Sequence, residues 1–326
     1  MRKVFIIVLY ISFIMNNATT GPLLLFNAYN ARSYGLSESG VTFKGDLNAI
    51  TINPACLSSL DNTTITVFYL PWYENMTLFS MGLGFPLHIR DKLYGSVSLN
   101  LSSFSTGPFP NYDEFGNELP NLESNDLLIT MAYGYPLPMQ FDVGINFKYF
   151  NTKLGDKKSK SVAIDIGILK CFNVPGIRFK DIDHNLDIGV SVQNIGFSQE
   201  YIKEKSPLPF KIRAGANYLF YAHNKINTSL ITELIQARGY QTKLCVGTEI
   251  FLLNYYNLRI GYKLIGDVLH KYSYGIGIYE NRKGYNLIID YSYIPLIEVG
   301  AQHAFSVKLE FKSIPAEQTN QTNIIH

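Results

Sequence analysis

The sequence predicts an all-β protein, an antiparallel transmembrane β-barrel of about 14 strands, on three observations. Short runs of alternating apolar and polar residues fill the chain from about Thr63 to Phe311. In one of them Phe141, Val143, Ile145, Phe147 and Tyr149 share a face, while Asp142, Gly144, Asn146 and Lys148 share the other. A two-residue period is that of a strand with one greasy and one wet side. Before these runs comes an export signal, and an even number of such strands in an exported chain suggests a bacterial outer-membrane barrel. Finally, 14% of the residues are aromatic, with 23 Tyr and 21 Phe against one Trp. Tyrosine settles where hydrocarbon meets headgroups, as in the aromatic girdles of barrels. A soluble β-sandwich could carry as many tyrosines.

The export signal occupies residues 1–20. Arg2 and Lys3 open it, an apolar stretch runs from Val4 to Met15, and Asn17-Ala18-Thr19-Thr20 offers a processing region. That stretch is too short to span a bilayer as a helix, and no later run approaches the roughly 18 apolar residues required. A net charge of +2 gives no reason to expect nucleic acid. Three widely spaced cysteines, Cys56, Cys171 and Cys245, form neither a disulfide framework nor a metal pattern.

Residues 21–61 do not alternate. Ala31 to Gly35 and Leu47 to Leu60 read as short helical or turn pieces, with Gly35, Gly40 and Gly45 between them. Asn53-Pro54 starts a tight turn, because proline fixes its own φ and restricts the residue before it. A compact polar segment ahead of a barrel can fold back into the lumen as a hatch, where its backbone finds partners on the wet wall.

The barrel itself is expected over 62–312. Strands fall near 62–70, 75–86, 92–101, 126–136, 140–151, 160–171, 185–196, 209–220, 224–236, 241–252, 255–264, 270–280, 284–293 and 303–312. Most reach the roughly 9–11 residues that a tilted spanning strand needs. Longer connections at 102–125, 152–159, 197–208 and 294–302 follow odd-numbered strands, the pattern of outward loops. A polar tail, 313–326, ends the chain.

Two patterns mark the wet face. Gly144, Gly167, Gly189, Gly215, Gly247, Gly261, Gly275 and Gly277 all lie on it. Either something inside needs room there, or glycine relieves curvature strain. Charges of both signs also sort to it, since Arg or Lys on the lipid face costs roughly 2–4 kcal/mol near midplane. Glu249 is expected near Arg259 and Lys263, Asp290 near Lys308, and Lys148 near Asp165, as a ladder bracing the wall from within. A balanced lumen differs from a pore lined by one sign of charge.

Several stretches together carry a family resemblance. An Asn53-Pro54-Ala55 turn ahead of about 14 strands resembles the FadL-type long-chain fatty-acid channels of the outer membrane. The longer pattern from Ala31-Arg32-Ser33-Tyr34-Gly35-Leu36 through Asn48-Ala49-Ile50 to Asn53-Pro54-Ala55 is similar to the PorV/PorQ branch and to a related spirochaete outer-membrane family. Downstream, Val192-Gln193-Asn194-Ile195-Gly196, Pro207-Leu208-Pro209, Arg213-Ala214-Gly215-Ala216, Leu258 to Lys263 and Asp290 to Tyr293 continue the likeness. Two positions depart from it. Cys56 replaces the usual glycine, and a tail follows Phe311 where substrates of the barrel-assembly machinery usually end on an aromatic residue.

The resemblance implies passage of hydrophobic molecules, long-chain fatty acids foremost, with a hatch around Asn48, Asn53, Pro54 and Ala55 as the gate. Arg32 is a candidate anchor for a carboxylate. Phe104, Phe109, Tyr112 and Phe115 in the 102–125 loop offer either a capture groove or aromatics that pack the loop on itself. The alternative is a secretion-system protein that holds exported cargo at the surface. A hydrolase is disfavoured, because His88, His184, His223, His270, His303 and His326 are scattered, and His303 and Ser306 face opposite ways. No catalytic set, metal or cofactor is assigned. The expected partners are membrane lipid, the assembly machinery and a hydrophobic small molecule.

Overall fold

The computed structural model describes residues 23–25, 27–72, 75–90, 92–174, 186–201, 204–223, 225–266, 270–297 and 300–312. The export signal and the 313–326 tail lie outside the described residues. Among the described residues eighteen strands follow the N-terminal segment: β1 (Thr63–Pro71), β2 (Thr77–Ile89), β3 (Lys92–Ser105), β4 (Phe109–Tyr112), β5 (Glu118–Leu122), β6 (Ser124–Leu137), β7 (Phe141–Leu154), β8 (Lys157–Phe172) and β9 (Leu186–Gly196), then β10 (Gln199–Tyr201), β11 (Glu204–Ser206), β12 (Lys211–His223), β13 (Ile226–Ala237), β14 (Lys243–Leu252), β15 (Tyr256–Ile265), β16 (Tyr272–Asn281), β17 (Tyr285–Leu296) and β18 (Gly300–Phe311).

Fourteen of them pair antiparallel with their neighbours and close when β1 meets β18, for example Val67 opposite Val307. Closure removes every open edge, which a sheet in hydrocarbon requires. The other four form two small hairpins, β4–β5 and β10–β11, inside the longest described connections. These connections sit at the end we assign to the cell exterior, following the habit of outer-membrane barrels.

Alternation places the side chains as anticipated. Ile65, Val67, Tyr69, Phe147 and Tyr149 are exposed on the outside, while Thr64, Thr66, Asp142, Asn146 and Lys148 are buried inside. The expected loop 152–159 shrinks to a short turn, because β7 runs to Leu154 and β8 starts at Lys157, and strand takes up much of 294–302, with β17 reaching Leu296 and β18 starting at Gly300. Above the membrane both faces of a strand meet water, so polarity stops alternating although the backbone ladder continues.

Candidate functional site: a hatch seated in the lumen

Residues 27–61 fold inside the barrel as three short helical turns, each started by a side-chain cap. Asn30 caps the helix Ala31–Gly35, its Oδ1 accepting from the Ser33 amide at 2.6 Å. Asp46 caps the turn Leu47–Ala49 by accepting from the Asn48 amide at 3.1 Å. Asn53 caps Pro54–Ser59 by accepting from the Ala55 amide at 3.0 Å, with Pro54 at the first helical position. Asn and Asp are favoured caps because their short side chains reach the orphan amides of a first turn. Leu36, Phe43, Ala55 and Cys56 pack against Leu169, Cys171 and Ile231 of the wall. Burial pushes the Cys56 thiol well above its ordinary pKa.

The wall makes room for this segment. A Cβ on Gly144 would overlap the Pro54–Ala55 backbone, and one on Gly167 would overlap the Asn53 side chain. One on Gly189 would strike the Val41 carbonyl, and one on Gly261 would come within 2.5 Å of the Ser37 amide. Gly215, Gly247 and Gly275 likewise back onto Val41, Leu36 and Gly35. Of the two readings of these glycines, room for something inside therefore holds for seven of the eight. Gly277 instead faces Asp290 and Arg259. Gly134, absent from the sequence-derived set, completes the seat beneath Ser58.

Polar contacts hold the hatch on two sides. On one, Asn53 Nδ2 donates to the Val41 carbonyl at 2.7 Å and to that of Ile168 at 3.3 Å. Gln193 Nε2 donates to the Thr51 and Ile52 carbonyls, both at 2.7 Å, and Asn146 Nδ2 donates to Ile50 O at 2.8 Å. Lys148 and Asp165 pair at 2.7 Å as anticipated. On the other side, Glu233 Oε2 accepts from the Gly40 and Val41 amides at 2.7 and 2.9 Å, and Oε1 pairs with Arg213 at 2.9 Å. Ser292 Oγ donates to Ala31 O at 2.6 Å.

The charge ladder exists, with Glu249 beside Arg259 as expected and other partners for Lys263 and Lys308. Arg259 joins Glu249 at 2.7 Å and Asp290 at 2.6 Å. Lys263 turns to the hatch residue Glu38 at 2.8 Å rather than to Glu249. Lys308 reaches Asp46 at 3.4 Å and Glu310 at 3.2 Å rather than pairing with Asp290. The hatch brings its own carboxylates to the wall's cations, which wall-to-wall reasoning leaves out. Arg32 is engaged in the same way: it meets Glu249 and Asp46 and lies over the Phe43 ring. A guanidinium so committed corrects the expectation of a free anchor for a ligand carboxylate. Burial opposes ionisation of Glu38 and Asp46, but facing cations prevail and lower both pKa values. Lys243 and Lys263 act on Glu38, and Lys308 and Arg32 on Asp46. Between hatch and wall at the inner end remains a cavity of about 330 Å³, bordered by Arg32, Asp46, Phe251, Tyr279 and Lys308.

At the outer end an apolar cluster lines one side of the lumen, with Lys211 reaching the Leu25 carbonyl at 3.2 Å. Phe68, Leu70, Leu78, Phe104, Leu128 and Phe150 point inward and cluster with Leu24, Leu25, Tyr29 and Tyr34 of the hatch segment. Tyr34 stacks on Phe68 with centroids 5.9 Å apart, and Trp72 meets Phe104 edge-on at 5.8 Å. Phe104 is thus a buried strand residue and not part of the loop, since β3 runs to Ser105. Phe109 and Tyr112 sit exposed on β4, and Phe115, 82% exposed, lies at the hairpin tip. Asn48 accepts from Asn30 Nδ2 through its backbone carbonyl at 3.1 Å. His303, outward and bonded to Tyr291, and Ser306, inward against the Ala31 amide, lie on opposite faces as read from the sequence. Among the described residues no His, Cys, Asp and Glu cluster could hold a metal ion.

Sequence reasoning missed Glu38, Asp46, Glu233, Gln193 and Asn194 as hatch contacts. The last two carried a signal: they sit in the Val192 to Gly196 stretch of the family pattern. There a β-bulge between β8 and β9, with Asn194 at φ +60°, turns both amides into the lumen.

A closed 14-stranded barrel with a hatch tied into its lumen defines a plugged outer-membrane β-barrel. The chain belongs to the family described as Type IX secretion system protein PorV, whose model matches residues 14–238. Solved structures of FadL-type channels share the fold. The toluene transporter TodX of P. putida aligns at TM-score 0.59 and 12% identity, over 88% of this chain and 99% of its own. A Pseudomonas aeruginosa FadL homologue aligns at 0.54 and 10%, over 90% and 99%. The Ralstonia pickettii toluene transporter TbuX aligns at 0.55 and 11%, over 88% and 100%. No curated protein matches the sequence significantly.

Proposed function

We propose that this outer-membrane protein binds and passes hydrophobic molecules of the fatty-acid class, with the hatch as the movable element. The observation that supports this reading is the apolar cluster on the outer lumen wall. Barrel interiors are ordinarily polar, and a water-filled pore has no use for Phe68, Leu78, Phe104 and Phe150 turned inward. A hydrophobic molecule needs such a lining, and it would take the space that Leu24, Leu25 and Tyr29 now fill. The related folds of two toluene transporters support a hydrophobic cargo, the coarser part of this reading. Saturable displacement of a fluorescent fatty acid from the refolded full chain, weakened in Phe104→Ala, is the expected result.

A second reading rests on the family description and on the number of ties holding the hatch. In it the lumen stays plugged, and the exposed Phe109, Tyr112 and Phe115 form part of a surface for exported cargo. Absence of saturable binding by the wild type decides for this second reading and against the first.

A further inference from the structure

The β7–β8 hairpin rises beyond the outer aromatic girdle with three lysines on its lipid-side face. Lys153 and Lys158 are direct cross-strand partners, and Lys160 lies opposite Asn151. All three are exposed, in the same alternation as Tyr149, Val162 and Ile164 below them. Residues directly opposite in a sheet have Cβ atoms about 4.5–5.5 Å apart, so two like charges there repel unless an anion sits between them. Among the described residues none of the three lysines has a carboxylate partner. With Lys157 and Asp156 at the turn, the hairpin tip, residues 151–160, carries four cations against one anion.

Directly below, the outer wall is hollow. A groove of about 280 Å³ runs between Met131, Phe147, Tyr149, Val162, Ile195 and Phe197. The bulge at Gln193 and Asn194 lies beside it: both side chains turn inward, so β9 presents no outward side chain between Val192 and Ile195. The groove lies one pair, Tyr149 with Val162, below the Asn151–Lys160 pair. Two residues of strand span roughly 6.5 Å, a short step from acyl chain to headgroup.

We propose that this face holds one outer-leaflet lipid with an anionic phosphate headgroup, its chain in the groove and its phosphate among Lys153, Lys158 and Lys160. The groove opens at bilayer depth, where a lipid is the neighbour at hand, and the charge above it selects among lipids. The inference uses no part of the hatch and stands apart from the proposed function.

The test uses the full chain, loaded with phosphatidylglycerol or phosphatidylcholine of identical chains and read by native mass spectrometry. The wild type should retain phosphatidylglycerol roughly tenfold better, since each near-surface lysine contributes to anionic-lipid attraction. Lys153→Gln/Lys158→Gln/Lys160→Gln should retain both equally, and Val162→Trp, which fills the groove, should lower retention of both. Lys225→Gln/Lys283→Gln at the opposite rim should behave as wild type. Equal retention by the wild type, an undiminished preference in the triple variant, or loss of preference in the opposite-rim variant overturns the proposal.

Discussion

Arg32 of the hatch and Glu249 of β14 form a two-pronged ion pair, Nε to Oε1 at 3.0 Å and Nη2 to Oε2 at 2.5 Å. The pair fixes the hatch helix to the wall and orders Glu249 against Arg259. Arg32→Met keeps an apolar stem and removes the guanidinium that lies over Phe43. Breaking a buried pair costs roughly 3–5 kcal/mol, mainly through the charge left behind. Because Arg259 still neutralises Glu249, we expect a loss of about 3 kcal/mol. Trp72, the single tryptophan, packs on Phe104 in the cluster that the hatch completes, so its fluorescence reports hatch release. An unchanged urea midpoint would show that the pair holds nothing.

Wall glycines offer a more selective lesion. Gly144→Val places atoms where the Pro54–Ala55 backbone now runs, without touching the lipid face. The strands retain their pairing, so heat-modifiable gel mobility should persist. The hatch must shift, and single-channel conductance in planar bilayers should rise above that of the wild type. Gly116→Val, in the exposed β4–β5 hairpin where an added Cβ meets nothing, is the control. Equal conductance in all three proteins would mean that the hatch accommodates the larger side chain.

The sequence made the barrel legible because one face of every strand must satisfy lipid and the other a polar interior. That requirement writes a two-residue period at Phe141 to Tyr149 and throughout the chain. The turn that starts at Asn53-Pro54 is legible for a local reason, the restriction that proline places on its own φ and on the residue before it. What alternation does not record is a third body inside the lumen. Alternation alone pairs Lys263 and Lys308 with wall carboxylates, yet Glu38 and Asp46 come from a segment more than 200 residues earlier. Phe104 reads as loop in the sequence because β3 continues beyond the apolar belt, where polarity no longer marks the strand.

Acid should loosen the hatch at low pH. Glu38 and Asp46 have pKa values lowered below their ordinary ranges, near 4.3 and 3.9, by cations that outweigh burial. A carboxylate with a depressed folded pKa contributes stability that is complete above its unfolded pKa. That contribution fades as pH falls through the folded value. Protection of the hatch from an added protease that works at low pH should therefore stay constant from pH 8 to about 5 and decline below about 4. Asp46→Asn should lower protection at pH 7 and flatten the acid decline. A decline centred near pH 6 would point to a histidine instead.

The bulge amides yield the most local prediction. Gln193 Nε2 donates to two hatch carbonyls, Thr51 and Ile52, while Ser191 Oγ donates to Ile52 O at 2.6 Å. Gln193→Met preserves length and removes both hydrogen bonds, leaving Thr51 O without its Gln193 partner. A buried polar group stripped of its partner costs roughly 1–3 kcal/mol. Ile52 O keeps Ser191, so the loss should fall near 1.5 kcal/mol. Gln193→Glu should do worse, because it turns a donor into an anion facing two carbonyl oxygens. Hydrogen exchange at the Asn53 amide, which bonds to Ala49 O at 2.8 Å, reads the local opening directly. Faster exchange in both variants, with Gln193→Glu the faster, is expected. Exchange as slow as wild type in Gln193→Glu would mean that the bulge does not grip the hatch.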